Sequence, residues 1–255
     1  MMAIDNINNS PGARLKAAYQ KRGALFLARK AVCGTLRRLR NASYAFYLKM
    51  RPARRFAFRG RSLRYFYHSY NTTWDNERCV EVAIALDAIR SAKEGARILE
   101  IGNVLNMYAP FPHDVVDKFE RAPGVLNEDV ITFSPARPYD LIVSVSTMEH
   151  VGWDEEPRRP GDVLRGFENL TRKCLAAGGT LLVTVPVGYN GALDTYLAQG
   201  LIGFTTLYFM KHIYPDDVWL EVSKDEAMRT PYGARYRGAN AIVVGVFEKS
   251  DTQKP

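Results

Sequence analysis

The stretch that most constrains the fold is Arg97-Ile-Leu-Glu-Ile-Gly-Asn-Val-Leu-Asn106, an apolar run that ends in an acid, a glycine and a turn. Ile98, Leu99 and Ile101 form the short apolar segment expected of a strand buried on both faces of a parallel sheet. Gly102 falls where that strand passes into its turn. A missing Cβ there permits unusual dihedrals and close approach of a ligand. Glu100 lies just inside the turn, at the carboxyl edge where open α/β sheets bind their ligands. The pattern points to a nucleoside-type cofactor held at this edge.

The rest of the chain supplies partners for that strand. His113-Asp-Val-Val-Asp117 predicts a second strand whose terminal acid comes fifteen residues after Gly102, where a carboxylate can accept both hydroxyls of a ribose. Ile131 and Phe133, just beyond Asp129, predict a brief third strand. Tyr139 to Ser146 predicts a fourth, running into the polar and aromatic turn Thr147-Met-Glu-His-Val-Gly-Trp153. Asp162 caps a helix with Val163, Phe167, Leu170 and Cys174 on its face, stopped by Gly178-Gly179. Thr180 to Val185 is the fifth strand, followed by Tyr189 and Asn190. Segments 204–209, 218–222 and 240–248 read as further strands. Ahead of the first strand, Cys79, Val82, Ala83, Leu86 and Ile89 repeat at helical spacing, and Gly95 closes that helix. Asn71 to Thr73 offer capping oxygens, and the polar cluster around them is either a cap or a lid. Strands alternating with helices predict a parallel sheet covered on both faces.

At 255 residues the chain accommodates one full α/β domain and an extension. Its 47% apolar content excludes a disordered chain. No run reaches the roughly 18 apolar residues of a spanning helix. Cys33, Cys79 and Cys174 are too scattered for a clustered zinc site, no metal site is expected, and they suit a reducing compartment. With no secretory signal apparent, the expected location is the cytoplasm.

Charge is unevenly spread. Residues 1–64 carry sixteen Lys and Arg against the single acid Asp5, a net +15, which leaves −7 for the remainder of a chain at +8. The division read from this is a basic, partly helical extension over 1–64, a domain over 65–250 and a tail over 251–255. Leu25, Ala28, Val32, Leu36 and Leu39 form one stripe of a basic helix. Such a helix can lie in an anionic membrane face, pack on the domain, or act as a transit peptide. Between residues 49 and 66, six arginines interleave with Phe56, Phe58, Tyr65 and Phe66. That mixture suits phosphate or RNA, with a solvated arm as the default; no nucleic-acid module accompanies it, so nucleic acid is not the expected partner.

The ordered blocks Tyr70-Asn71 with Asn76-Glu77-Arg78, Leu99 to Leu105, Tyr139 to Val143 with Thr147 to Gly152, and Thr184-Val-Pro-Val-Gly-Tyr-Asn190 resemble the Rossmann-like, seven-stranded, class I S-adenosylmethionine-dependent methyltransferases. More narrowly, they look like members associated with cell-surface polysaccharide and lipopolysaccharide synthesis. The resemblance covers residues 65–250. It implies S-adenosylmethionine as cofactor, with Glu100 and Gly102 bordering its methionine part, Asp117 on the ribose, Asp129 near the adenine, and Asn103 and Ser146 as further cofactor-binding residues. His150 is the candidate base with Glu149 orienting it or the substrate, and Tyr189 and Asn190 are either acceptor contacts or turn residues. The expected reaction is O-methylation of a sugar hydroxyl on a small or lipid-linked glycan, with peripheral contact at the inner membrane face through residues 1–64. The family's first loop usually holds two or three glycines; here Asn103, Leu105 and Asn106 fill it. That departure keeps a catalytically silent partner of a glycan-assembly complex as the rival, beside an RNA-binding methyltransferase.

Overall fold

The computed structural model describes residues 54–108, 111–214, 216–233 and 238–251, together with Thr35, Leu39, Ala42, Ser43 and Phe46, which are helical and exposed. Apart from those five positions, the basic stripe and the rest of the extension before Arg54 lie outside the described residues. Most of the 251–255 tail does as well.

Chain order is β1 (Arg55–Phe58), β2 (Arg61–Arg64), a 3-10 turn (Tyr70–Asp75), α1 (Arg78–Ser91), β3 (Ile98–Ile101), β4 (Asp114–Val116), β5 (Val125–Leu126) and β6 (Tyr139–Val145). Then follow α2 (Asp162–Asn169), β7 (Leu175–Pro186), α3 (Gly191–Gln199), β8 (Thr206–Ile213), β9 (Val218–Glu221), α4 (Lys224–Met228) and β10 (Ala241–Glu248). Strands β3 to β10 form one eight-stranded sheet in the order β5-β4-β3-β6-β7-β10-β8-β9. Pairings among β5, β4, β3, β6 and β7 are parallel, while β10 runs antiparallel to both β7 and β8, and β9 antiparallel to β8. The sheet thus has one strand more than the seven the resemblance implies; the edge strand β9, read above as segment 218–222, is a hairpin partner of β8.

Alternation along the central strands explains their unbroken apolar runs. Leu141, Val143 and Val145 face α1, whereas Ile142, Leu181, Val183 and Val185 pack with Val163, Phe167 and Leu170 on the opposite side. From β3 the chain winds outward through β4 to β5, then returns to place β6 on the other flank of β3. The carboxyl ends of β3 and β6 thus open a crevice at a topological switch point, the usual ligand position in such sheets.

Three expectations change. The third strand is Val125–Leu126, not Ile131 and Phe133; residues 130–132 form a turn, held by Thr132 and Phe133 amides donating to the Asp129 carbonyl. Helix α2 runs on through a π turn and stops at Cys174, so Gly178 and Gly179 lie inside β7. There Gly178, at φ +69°, makes a bulge between the Tyr139–Leu175 and Leu141–Thr180 pairs. The default reading of residues 54–64 as a solvated arm is also overturned. Arg59 and Gly60, both at positive φ (+53° and +70°), turn a tight hairpin. Its Phe56, Phe58 and Leu63 are buried with Tyr65, α1 and the sheet residues Ile242 and Val244. The chain accordingly divides after Ala53 and not after Arg64. The buried rings also remove the aromatic half of an RNA-stacking surface.

Among the described residues no helix is long and apolar enough to cross a membrane.

Candidate active site

Strand β3 delivers Glu100 and Gly102 to the switch point. Glu100 is fully buried and turned back beneath its own loop. Its Oε1 accepts the amides of Val104 (2.9 Å) and Leu105 (2.7 Å), and Oε2 meets His113 Nε2 at 2.7 Å. The carboxylate therefore anchors the loop; it does not border the cleft as a ligand group. A buried acid that accepts successive amides replaces, as a way of fixing the turn, the glycines missing from it. Gly102 stands at φ +83°, and a Cβ there would lie 2.1 Å from Thr147 Oγ1, so the close approach of the β3 and β6 ends demands glycine.

Across from it, β4 ends at Asp117, whose Oδ1 accepts the amides of Phe119 (2.8 Å) and Glu120 (2.7 Å). Asn103 donates to Glu120 (2.8 Å) and accepts from Asn106 (2.9 Å), which ties the first loop to the turn after β4. Asn103 is thus a loop strut and not a cleft-lining group. Gly102, Asp117, Asp129 and His150 line one cleft, with Ile101, Val116, Val130 and Val151 as its apolar wall. At its edge Lys118 Nζ bridges Asp129 (2.9 Å) and Glu155 (2.6 Å). Burial raises the Asp129 carboxyl, but the Ile131 amide and Lys118 outweigh it and hold it below its ordinary value.

The turn after β6 carries the groups suited to proton transfer. Ser146, at φ +40°, is buried and donates to Glu81 Oε1 (2.6 Å) on α1, away from the cleft lining. His150 is half exposed. Its Nδ1 sits 2.5 Å from Asp154 Oδ2, and its Nε2 lies 3.6 Å from Glu149 Oε1. Tyr189 stacks edge-on against His150 at 5.0 Å and donates its hydroxyl to the same Asp154 oxygen (2.6 Å). Burial raises the Asp154 carboxyl, yet bonds from Tyr189 and His150 leave it below its ordinary value. Asp154 is the orienting group that sequence reasoning missed. Its only signal was the four-residue spacing from His150; the chain turns back through Gly152 (φ +67°), and the Asp154 amide donates to the His150 carbonyl at 3.1 Å. Asn190 turns out to be committed elsewhere. Its Oδ1 caps α3 through the Ala192 and Leu193 amides, and its Nδ2 donates to the Glu149 carbonyl (2.8 Å).

Beneath this turn lies a buried charged group that spacing alone did not reveal. Arg78 Nη1 donates to Glu81 Oε2 (3.0 Å) and to the Val145 carbonyl (3.0 Å). Glu77 Oε2 accepts the Ala239 amide (3.0 Å). Burial, reinforced by Glu81, raises the Glu77 carboxyl to about 7. Glu149 is 2% exposed, and burial beside Glu81 and Glu77 pushes it well above the carboxylate range, with Arg78 opposing. Among the described residues no group of three or more His, Cys, Asp or Glu is arranged to hold a metal ion.

No family model matches the chain, and no curated protein matches its sequence. Several solved structures are similar to it. The N-methyltransferase NodS from Bradyrhizobium japonicum WM9, in complex with S-adenosyl-L-homocysteine, is 14% identical, with 72% of this chain and 97% of that one covered at a TM-score of 0.36. The sugar N-methyltransferase KedS8 from Streptoalloteichus sp ATCC 53650 is 13% identical over 72% of this chain and 94% of its own, at 0.36. A TehB-like S-adenosylmethionine-dependent methyltransferase from Corynebacterium glutamicum is 18% identical over 67% and 88%, at 0.39.

Proposed function

We propose that the chain is an S-adenosylmethionine-dependent methyltransferase acting on a hydroxyl of a glycan. The observation that carries this reading is the convergence of Gly102, Asp117 and His150 on one cleft at the β3–β6 switch point. The residues present fit the cofactor. The Gly102 backbone lies at the strand end where a Cβ has no room, Asp117, whose Oδ1 accepts two amides, offers Oδ2 to the ribose hydroxyls, and Ile101, Val116 and Val130 give an adenine its apolar wall. When bound, S-adenosylmethionine supplies a methyl group activated on a sulfonium.

What the chain contributes is positioning and proton transfer. Asp154 holds His150 by Nδ1, which leaves Nε2, 3.6 Å from Glu149 Oε1, as the ring atom that acts as base for an acceptor hydroxyl. Tyr189 walls the acceptor side and fixes the other flank of Asp154. In-line transfer gains most from such orientation. The +10 carried by residues 1–53, eleven Lys and Arg against Asp5, supports a lipid-linked or otherwise anionic glycan met at a membrane face.

Formation of S-adenosylhomocysteine in the presence of glycan acceptors tests the proposal. Turnover should fall by about a hundredfold or more in His150→Ala, within the range of general-base contributions, with cofactor affinity unchanged. Cofactor binding without turnover on any acceptor would instead favour the silent-partner reading.

A further inference from the structure

His150 belongs to two surfaces at once. It lines the cleft together with Gly102, Asp117 and Asp129. Its ring also meets Tyr189 edge-on, with centroids 5.0 Å apart and planes at 71°. Tyr189 in turn meets Tyr232 at 5.5 Å and 67°, and neither tyrosine is among the residues lining the cleft. The base therefore stands between a cleft that suits the cofactor and, outside that cleft, a corner made of two aromatic rings.

Both rings are held. Tyr189 donates its hydroxyl to Asp154 at 2.6 Å, so what it leaves for a ligand is its ring. Tyr232 rests on the turn after β7. A Cβ on Gly188 would lie 3.1 Å from the Tyr232 amide nitrogen and 3.2 Å from its Cβ, and Gly188 stands at φ +83°. The Gly188 amide donates to Asp194 on α3 (2.9 Å), and the Thr230 amide to the Ala227 carbonyl on α4 (2.9 Å). Tyr232 is nevertheless 40% exposed. A tyrosine anchored beside the base's own aromatic neighbour thus keeps apolar surface in water that a bound ligand would cover.

The ring chemistry selects that ligand. A pyranose with equatorial hydroxyls has one flat face of axial C–H groups and a rim of hydroxyls. Such a face suits an aromatic ring, while the rim reaches polar groups nearby. An open-chain polyol has the hydroxyls without the face.

We propose that Tyr232 is a specificity-determining residue: with Tyr189 it stacks the C–H face of a pyranose and so presents the acceptor hydroxyl to His150. The inference deepens the methyltransferase reading and rests on it for the role of His150; the stacking itself is measured without the reaction.

Saturation-transfer NMR of the full chain, irradiating aromatic protons, tests it. The probes are methyl β-D-glucopyranoside, methyl β-D-galactopyranoside and D-glucitol, each with and without S-adenosylhomocysteine. Transfer should reach the protons on carbons 1, 3 and 5 of a pyranoside, which form its flat face, and should be absent from D-glucitol. Tyr232→Phe keeps the ring and should behave as the unaltered protein. Tyr232→Leu should weaken pyranoside affinity by about three- to tenfold, the size of one aromatic contact, at an unchanged melting temperature. Equal transfer to D-glucitol, undiminished pyranoside binding in the Leu variant, a loss already complete in the Phe variant, or no binding of either pyranoside would each overturn the proposal. Stacking seen in a protein that binds no S-adenosylhomocysteine would uphold the platform and remove the methyltransferase reading.

Discussion

Gly102 is the residue at which geometry allows least choice. Its φ of +83° and the mere 2.1 Å that would separate an added Cβ from Thr147 Oγ1 each exclude a side chain. Gly102→Ala should destabilise the fold by about 1–3 kcal/mol, the usual cost of a strained backbone position, and abolish cofactor binding. Denaturant melts check this, and a change under about 0.5 kcal/mol, the scatter of unstrained surface substitutions, would show that Thr147 gives way. Asp154→Asn should lower turnover by about tenfold to a hundredfold while leaving cofactor affinity intact, because it releases the Nδ1 side of the proposed base. At this scale the sequence showed the acids and the histidine but not their partners. Glu149 was legible as a companion of His150 because it is adjacent, and its Oε1 lies 3.6 Å from Nε2; the shorter contact, at 2.5 Å on Nδ1, belongs to Asp154. Glu100 was legible as a strand-end acid, but its role as the anchor of a glycine-poor loop depends on His113 and on two amides that only the folded turn brings near.

Among the elements, β3, β6 and β7 were readable because strands buried on both faces need uninterrupted apolar runs. The two-residue β5 was not, being too short to carry a pattern, and Phe133 drew the assignment instead. Phe133 is buried because Asn169 Nδ2 donates to the Val130 and Phe133 carbonyls and pins that turn against α2. In the hairpin of β1 and β2, the exposed–buried alternation was masked by arginines on its outer face. Those arginines have structural partners: Arg54 pairs with Asp217 at 3.0 Å, and Arg61 with Asp87 at 2.6 Å. Phe56→Ala should cost about 3–5 kcal/mol, as for large aromatic deletions in a core. A chain beginning at Arg54 should melt close to the full-length protein, and one beginning at Tyr65 well below it. Equal melting of the two truncations would place the hairpin outside the core.

For the whole molecule, the buried carboxyls set a slope of stability against pH. Glu77 is raised from 4.5 to about 7 and Asp194 from 3.8 to about 6, burial being the main cause in both. Each binds its proton more tightly folded than unfolded, so between those values the native state holds more protons and stability falls as pH rises. Asp129, Asp154 and Asp217, held below 3.8, act in the opposite sense and only in more acid solution. Melting followed from pH 4.5 to 8 should therefore decline, and Glu77→Gln should remove a part of the decline on the order of 3 kcal/mol. An unchanged slope in that variant would mean that Glu77 titrates normally. The central claim is that the ends of β3, β4 and β6 build one adenosyl-binding cleft, and calorimetric titration with S-adenosylhomocysteine tests it most directly. The account predicts saturable one-to-one binding, weakened at least tenfold, or about 1.4 kcal/mol, by Asp117→Ala. No heat of binding at millimolar ligand, or equal affinity in the Asp117→Ala variant, would contradict it.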